Sequence, residues 1–280
     1  MDTNPIYTDA LPYIDVTRPY FALRNLSPLP PSSSGFPAVT GTFIPILGSV
    51  AAAYSNPVKA KHYYLALDAS VEFVYFSTCQ ELRADARITF ARWEKHRVGC
   101  EIEMFTPKNR FAGKMKVSYA VVTEKKLISI TKVIDPKRVF GTAWQPGEPS
   151  PYMNPIMLRM VKTCSPELVT AIISLHDRRS MAGHFSPIAA APIAILSSNG
   201  IVLCRQLLGA DEGKQWLDRR TRVKCQRLAI VGEILEVRAR KLSGGDFSHR
   251  VEFWDEEGTM MGIIDYLFVE IDVEKEKPRL

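Results

Sequence analysis

The chain has 280 residues, of which 46% are hydrophobic and 24% charged, and its net charge is +6. This composition is typical of a globular protein with a buried core and excludes a largely disordered chain. No apolar run approaches the roughly 18–20 residues that span a bilayer, and the N-terminus lacks the pattern of a secretory signal. The five cysteines are odd in number and include no CxxC pair, which excludes a disulfide framework or a cysteine-based zinc site. We therefore expect buried thiols, a cytoplasmic location and no metal site.

The positive charge favours anionic partners through long-range attraction. Two such partners are an acidic acyl carrier protein and the phosphates of coenzyme A, while a simple solvated surface is the plainer interpretation. The basic residues occur in short groups such as Arg219-Arg220-Thr221-Arg222, without the long tracts or motifs of nucleic-acid-binding proteins. We expect no nucleic-acid partner and no membrane association.

The first half of the chain is predicted to place one buried helix before an antiparallel sheet. An extended segment at 14–26 leads to a loop that contains Gly35-Phe36-Pro37. Residues 42–54 are apolar on nearly all sides, which is typical of a helix buried in a core. The strands predicted after this helix cover residues 86–93, 98–105 and 111–123.

The second half repeats this order after a proline-rich connector. The segment 145–151 contains three prolines, which are incompatible with a helix. We place the first unit at 1–140, the linker at 141–164 and the second unit at 165–280. The second unit has an extended segment at 167–175, an apolar helix at 189–208 and predicted strands at 227–241, 247–254 and 260–271.

A constant spacing relates the two halves. Phe185 lies 149 positions after Phe36, and Gly262 lies 149 positions after Gly113. The segment Leu196-Ser197-Ser198 follows Leu47-Gly48-Ser49 at the same distance. Because these matches spread over some 80 positions without a gap, we interpret the chain as a tandem duplication. One helix followed by a meander in each copy indicates an α+β fold.

The second copy resembles a known family in several motifs. The run Gly183-His184-Phe185-Ser186-Pro187 before a buried helix is similar to the His-containing loop of hotdog-fold β-hydroxyacyl thioester dehydratases. The segments 230–237 and 254–262 look like later strands and a hairpin of that family. The resemblance implies a double hotdog, in which two antiparallel sheets are each wrapped around an apolar helix and join edge to edge as a pseudo-dimer. In one interpretation, two such chains pair further into a homodimer.

The family acts on acyl thioesters of coenzyme A or a carrier protein and needs no metal or redox cofactor. In its dehydratases a His and a carboxylic acid share the site as base and acid, which requires matched pKa values. His184 matches the family's His, but Ser198 stands at the acid position. In the first copy, Gly35 and Ser49 occupy the two positions, so the expected pair lacks its acid.

This departure leaves several interpretations open. His184 acts with another polar partner, for which Ser49, Tyr54 and Asp68 are the candidates, or the pocket serves a reaction that depends mainly on substrate orientation. The predicted chemistry is therefore of the lyase or isomerase type, meaning dehydration, isomerisation or cyclisation of a fatty-acyl or polyketide-like substrate. A non-catalytic acyl- or carrier-binding module and an acyl thioesterase are the alternatives.

The predicted substrate-binding residues lie at the mouths of the two helices. They are Phe36, Phe43, Phe185 and Ser198. The other histidines, which stand in charged surroundings, are predicted to be surface residues; these are His62, His96, His176 and His249.

Overall fold

The structure is a computed structural model of the chain. It describes residues 14–15, 21–23, 48–49, 51–53, 55–58, 62–74, 83–105, 108–131, 158–176, 181, 188–191, 193–208 and 215–271.

A single antiparallel sheet of twelve strands dominates the described part of the chain. Its order is β1-β2-β4-β5-β6-β3-β10-β14-β13-β12-β8-β7, and β9 pairs with β11 apart from it. The strands of the first half are Ile14–Asp15 (β1), Phe21–Leu23 (β2), His62–Phe73 (β3), Arg83–Arg92 (β4), Arg97–Phe105 (β5) and Phe111–Thr123 (β6). Those of the second half are Leu158–Ser165 (β7), Leu168–Ser174 (β8), Ala190–Ala191 (β9), Gln215–Cys225 (β10), Ala229–Ile230 (β11), Ile234–Lys241 (β12), His249–Asp255 (β13) and Met260–Ile271 (β14).

The sheet order reads symmetrically outward from the contact between β3 and β10. On one side follow β6, β5, β4 and β2, and on the other follow β14, β13, β12 and β8. The two central strands pair antiparallel, with Glu72 opposite Arg220 and Asp68 opposite Lys224. The halves therefore join edge to edge about a pseudo-twofold axis, and the predicted tandem arrangement is confirmed.

One helix packs against the sheet in each half. The first central helix includes residues 48–49, 51–53 and 55, and the second central helix is Ile193–Leu208. The second helix contacts β8, β12 and β13. Short helices also follow β4 and β6, at Trp93–Lys95 and Glu124–Thr131. None of the helices in the described part combines the length and apolar character needed to cross a membrane.

A glycine lets each central helix approach the sheet closely. A Cβ at Gly48 would lie 3.1 Å from side-chain atoms of Ile102 and Val117, and one at Gly200 would lie 3.3 Å from Val251. Val251 follows Ile102 by 149 positions, so the two glycines occupy equivalent places. Close backbone packing is the reason that both helices contain a residue of low helix propensity.

The repeat has more than one spacing, which corrects the uniform spacing predicted above. Strands β6 and β14 keep the spacing of 149 positions, as Gly113 and Gly262 show. Gly113 lies opposite Phe73 of the first central strand, and Gly262 lies opposite Cys225 of the second. Cys225, however, follows Phe73 by 152 positions, and Gly200 follows Gly48 by the same number. The change falls between β4 and β5, because Ala86 lies opposite Ile102 and Ala239 lies opposite Val251, so that β4 and β12 differ by 153 positions where β5 and β13 differ by 149. The ungapped match of Gly48 with Ser197 is therefore wrong.

Other elements also differ from the prediction. Residues 227–241 form two short segments, β11 and β12, because Gly232 turns the chain with φ of 96°. The pattern of the sequence did not single out β3 and β10 as strands. The stretch 158–164, assigned to the linker, lies in β7, which pairs with β8 of the second half. The boundary at residue 140 stays a prediction, because residues 132–157 lie outside the described part.

Ion pairs between neighbouring strands cover the outer face of the sheet. Asp265 of β14 accepts hydrogen bonds from Arg222 of β10 at 2.7 Å and from Arg250 of β13 at 2.7 Å. Arg240 and Glu252 form a similar pair between β12 and β13. The opposite face, which meets the helices, is the one on which a substrate site has to be sought.

Candidate active site

A β-bulge in β10 turns an aspartate toward the interior. Asp218 lies opposite Phe268 and Arg220 lies opposite the next residue, Leu267, so Arg219 is the extra residue of the bulge. The register then places Thr221 opposite the buried Tyr266. Bulges re-aim side chains in this way, and this one brings Asp218 and Thr221 onto one inward face although they stand three positions apart.

The carboxyl group of Asp218 is only partly satisfied. Its Oδ2 atom accepts a hydrogen bond from the Thr221 hydroxyl, whereas Oδ1 is buried and has no hydrogen-bond partner among the described residues. Although the residue as a whole is half-buried, burial raises the pKa of the carboxyl group from 3.8 to about 7, and the Thr221 hydrogen bond acts in the opposite direction. A carboxyl group with a pKa near neutrality is suited to accept and return a proton.

Tyr266, on the same inward face, joins β14 to the second central helix. Its hydroxyl donates to the carbonyl oxygen of Ser197 at 2.9 Å and lies 2.9 Å from Ser197 Oγ. Since the tyrosine proton is used on the carbonyl, the Ser197 hydroxyl is the donor in the second bond. Burial raises the pKa of Tyr266 far above its ordinary value. The nearby Cys204 raises this pKa further, and Asp218 does so to a smaller extent. Tyr266 is therefore a neutral hydrogen-bonding group within the electrostatic reach of Asp218.

Two further polar atoms on this face have no partner in the described part of the chain. Trp216 lies two residues before Asp218 on the same side of β10, and its indole Nε1 is buried. His249 lies opposite Tyr266 in β13, and its Nε2 is buried. Buried polar groups without partners are uncommon in proteins, so three on one face indicate a place for a polar ligand or water.

The corresponding face of the first half lacks the carboxyl group. With the spacings above, Ala66 stands for Asp218, Ala69 for Thr221 and Val117 for Tyr266. Cys100 stands for His249, and its thiol donates to the carbonyl oxygen of Gly48 at 3.2 Å. Burial raises the pKa of this thiol to about 12. Within the described residues the Asp218–Thr221 pair therefore belongs to the second half alone, whereas Tyr64, which stands for Trp216, accepts a hydrogen bond from the side-chain amide of Asn56 at 3.0 Å.

The structure tests only part of the predicted site. His184, Tyr54, Phe36, Phe43 and Phe185 lie outside the described residues, and their roles stay predictions. Ser198 belongs to the second central helix, and its side chain is not among those described.

The two remaining predicted residues are not brought together. Ser49 is buried, with 2% of its surface exposed, in the first central helix. Asp68 is exposed, on the outer face of β3, where it accepts a hydrogen bond from the Ser118 hydroxyl. Asp68 thus faces away from the helices and is a poor partner for a base inside the pocket.

The prediction that His249 is a surface residue is wrong. Only 3% of its surface is exposed, because it points inward from the first position of β13. His96 and His176 are exposed, as predicted, and His62 is half-buried. The charged neighbours of His249 misled the prediction, since they belong to the turn and to the outer face.

Sequence reasoning also missed Asp218. The only feature of the sequence that pointed to Asp218 was its place between Trp216-Leu217 and a run of arginines. The bulge that turns its side chain inward cannot be predicted from the residues alone. No group of three or more His, Cys, Asp or Glu side chains in the described ranges is arranged to hold a metal ion.

Comparison with known proteins identifies the fold. No family model matches the sequence, and no curated protein matches it. The TesB protein of Mycobacterium avium subspecies paratuberculosis is similar in structure, with a TM-score of 0.56 at 12% identity over 95% of this chain and 98% of that one. A hotdog-fold protein of unknown function from Alicyclobacillus acidocaldarius has a TM-score of 0.55 at 11% identity, over 95% and 98%.

A third similar structure is the acyl-CoA thioesterase II TesB2 of Mycobacterium marinum. Its TM-score is 0.54 at 11% identity, and the match covers 95% of this chain and 96% of that one. Matches that span nearly both whole chains agree with the symmetric sheet order described above. The fold is therefore a double hotdog.

Proposed function

We propose that this double-hotdog protein hydrolyses acyl thioesters, with Asp218 as the general base. The observation that carries the proposal is the buried Oδ1 atom of Asp218 on the inward face of the second half, which has no hydrogen-bond partner in the part of the chain that the structure describes. One of the similar structures supports it by its description as an acyl-CoA thioesterase.

In this reaction Asp218 activates a water molecule. Its ionised Oδ1 accepts a proton while the water oxygen attacks the carbonyl carbon of the thioester. The carbon–sulfur bond then breaks, the sulfur leaves as a thiolate, and the proton passes to it, which gives a free acid and a thiol. Thr221 holds the second carboxylate oxygen by its hydrogen bond and thereby orients Oδ1.

The thioester carbonyl needs a hydrogen-bond donor as negative charge develops on its oxygen. The indole N–H of Trp216 is buried on the same face of β10 as Asp218, and no described residue accepts a hydrogen bond from it. We assign it the role of this donor. Tyr266 instead fixes the second central helix against the sheet, because its proton is already used on the carbonyl oxygen of Ser197.

The substrate class follows from the same reasoning. The net charge of +6 favours a thiol portion that carries phosphates, as in coenzyme A or a phosphopantetheine carrier. The predicted dehydration, isomerisation or cyclisation receives less support than the thioesterase alternative, because the similar structures include an acyl-CoA thioesterase.

The test is release of free thiol from a panel of acyl-CoA compounds of different chain length. Asp218→Asn should lower kcat by about 10²–10⁴-fold, the usual contribution of a general base. Asp246→Asn, the same substitution in an exposed turn, is the matched control and should leave turnover unchanged.

Three results would overturn the proposal. One is thiol release by Asp218→Asn at the normal rate. The second is formation of an unsaturated thioester without thiol release, which would restore the lyase prediction, with His184→Ala as its own test. The third is binding without any turnover of the panel, which would favour the non-catalytic alternative.

A further inference from the structure

Tyr64 of β3 occupies the place in the first half that Trp216 of β10 occupies in the second. The two residues are 152 positions apart, which is the spacing of the two central strands. Each stands three positions before the extra residue of a β-bulge, which is Leu67 in β3 and Arg219 in β10. Because the bulges are equivalent as well, both side chains point to the inward face of their own half.

The hydrogen bonds of Asn56 show that the Tyr64 hydroxyl keeps its proton for another acceptor. Asn56 Oδ1 accepts the backbone N–H of Val58 at 2.9 Å, which fixes the orientation of the amide because a backbone N–H can only donate. Asn56 Nδ2 therefore donates to the Tyr64 hydroxyl at 3.0 Å. An amide nitrogen cannot accept in return, so the tyrosine proton points elsewhere, and no described residue accepts it.

Tyr64 is also buried and uncharged. Only 6% of its surface is exposed. Burial raises the pKa of Tyr64, the Asn56 hydrogen bond opposes this effect, and Cys100 raises the pKa further, so the hydroxyl keeps its proton at neutral pH. Buried donors without an acceptor are uncommon in proteins. Since the N–H of Trp216 is buried in the same condition at the equivalent place, each half offers one donor to a ligand.

The first half has no base beside its donor in the part of the chain that the structure describes. Ala66 and Ala69 stand where the second half has its carboxyl group and the threonine that orients it. The Cys100 thiol donates to the first central helix, and burial raises its pKa to about 12, so it is not a base at neutral pH. A carbonyl group held by Tyr64 therefore meets a donor without meeting a described carboxylate that could activate water.

The same surroundings favour a neutral acceptor over a charged one. Among the described residues, the polar groups that act on Tyr64 are Asn56 and Cys100, and both are uncharged. A carboxylate placed there would lose its hydration without gaining an opposite charge, which is costly in a protein interior. The carbonyl oxygen of a thioester carries no charge, and one hydrogen bond from a buried donor satisfies it.

We propose that the first half binds a second acyl thioester through a hydrogen bond from Tyr64 to its carbonyl oxygen and does not cleave it. The inference takes its ligand class from the proposed function, in which Trp216 is the donor to the thioester carbonyl. Glu72, which pairs with Arg220, lies eight positions and therefore about 26 Å along β3 from Tyr64, so the two sites are separate. The chain thus holds two acyl groups and hydrolyses only the one beside Asp218.

The test counts bound ligands with a probe that cannot be hydrolysed. Calorimetry on the full chain uses ketone analogues of acyl-CoA, in which a CH₂ group replaces the thioester sulfur, with acyl chains of six, ten and sixteen carbons. At least one of these ketones should bind as two molecules per chain. The alkyl thioether of coenzyme A with the same chain length lacks the carbonyl and should bind roughly tenfold more weakly at both sites.

Substitution of the two donors should affect the two ligands separately. Tyr64→Phe should weaken one of them roughly tenfold, and Trp216→Phe should weaken the other. Tyr63→Phe is the matched control and should keep both, because the hydroxyl of this neighbouring buried tyrosine donates to Glu124 at 3.1 Å. With a ¹³C label at the ketone carbonyl, the wild type should give two bound resonances, of which each substitution shifts a different one.

A single ketone per chain in the wild type, or no binding at all, would contradict the inference. So would two ketones whose affinities Tyr64→Phe leaves unchanged, or a loss of the same size in Tyr63→Phe. The proposed function is judged separately, since normal thiol release by Asp218→Asn would refute the general base without changing the number of bound ketones. Melting temperatures accompany each variant. Where Tyr64→Phe does not fold, Trp216→Phe decides, because one of its two bound resonances has to stay at the wild-type position.

Discussion

Tyr266 and Ser197 are joined by two hydrogen bonds of 2.9 Å each, one to the serine carbonyl and one to its hydroxyl. They tie β14 to the second central helix inside the core. Tyr266→Phe keeps the stack on Phe268 but leaves both Ser197 groups without that partner. We expect a loss of about 1–3 kcal/mol in the free energy of unfolding, measured in urea. Ser197→Ala, which removes one bond, should cost less, and a larger loss for Ser197→Ala than for Tyr266→Phe would contradict this account.

The two helix glycines should differ in their tolerance of a methyl group. A Cβ at Gly48 would lie 2.5 Å from the Tyr119 hydroxyl, whereas one at Gly200 would lie 3.0 Å from the Tyr266 hydroxyl. Gly48→Ala should therefore lower the free energy of unfolding by roughly 1–3 kcal/mol, and Gly200→Ala by less. The measurement is denaturation of both variants side by side. In a Tyr119→Phe background the cost of Gly48→Ala should shrink, and an unchanged cost would place the strain elsewhere.

The stability of the chain should depend on pH through Asp218. Its pKa rises from 3.8 to about 7 on folding, so the folded state holds the proton more tightly than the unfolded state. The contribution of this group is fully present below about pH 4 and is lost as the pH rises through 7. The loss amounts to at most about 4 kcal/mol. Asp218→Asn should gain stability relative to wild type between pH 4 and 8, and parallel pH curves for the two proteins would rule out a buried Asp218.

The rate of hydrolysis should follow the same carboxyl group. A general base acts in its ionised form, so kcat/KM should rise with pH and level off above about 7, the pKa of Asp218. Thr221→Val removes the hydrogen bond that lowers this pKa, and the rising limb should move to higher pH. If the rising part of the kcat/KM profile stays at its wild-type pH in Thr221→Val, the group that titrates there is not Asp218.

Asp265 should be the most costly acid to remove from the outer face. Only 4% of its side chain is exposed, and both Arg222 and Arg250 bond to it. Asp265→Ala leaves two cations without their shared partner. Because those arginines are 44% and 34% exposed and water screens their charge, we expect the free energy of unfolding to fall by only roughly 2–3 kcal/mol. Glu236→Ala, from an exposed pair with Arg238, should cost about 0–1 kcal/mol. Equal losses in urea denaturation would contradict the difference in burial.

Much of the architecture could be predicted from residue patterns. The alternation of 111–123 and 260–271 predicted two strands whose bounds the structure reproduces. The apolar stretch 189–208 predicted a buried helix because a helix without a polar face has to be covered, and the structure places that helix at Ile193–Leu208, with Ala190–Ala191 in β9 instead. The paired glycines Gly113 and Gly262 indicated the duplication, and in the structure a Cβ on either would approach the backbone of the neighbouring strand to 3.0 Å or closer.

The central strands and the site were beyond such patterns. In β10 the run Leu217-Asp218-Arg219-Arg220 does not alternate, because the bulge at Arg219 reverses the faces of the residues before it. An alternation rule therefore assigns Asp218 and Thr221 to opposite faces, although both point inward.

By itself, the sequence determined two tandem units, a buried helix in each and the strands with regular alternation, because periodicity and helix polarity are local properties. Only the tertiary structure decided which polar residues meet. The bulge turns Asp218 inward, the pairing of β13 with β14 buries His249 next to Phe268, and a three-residue length difference between the copies shifts the helix register. These depend on pairing between strands far apart in the chain, to which no local pattern is sensitive.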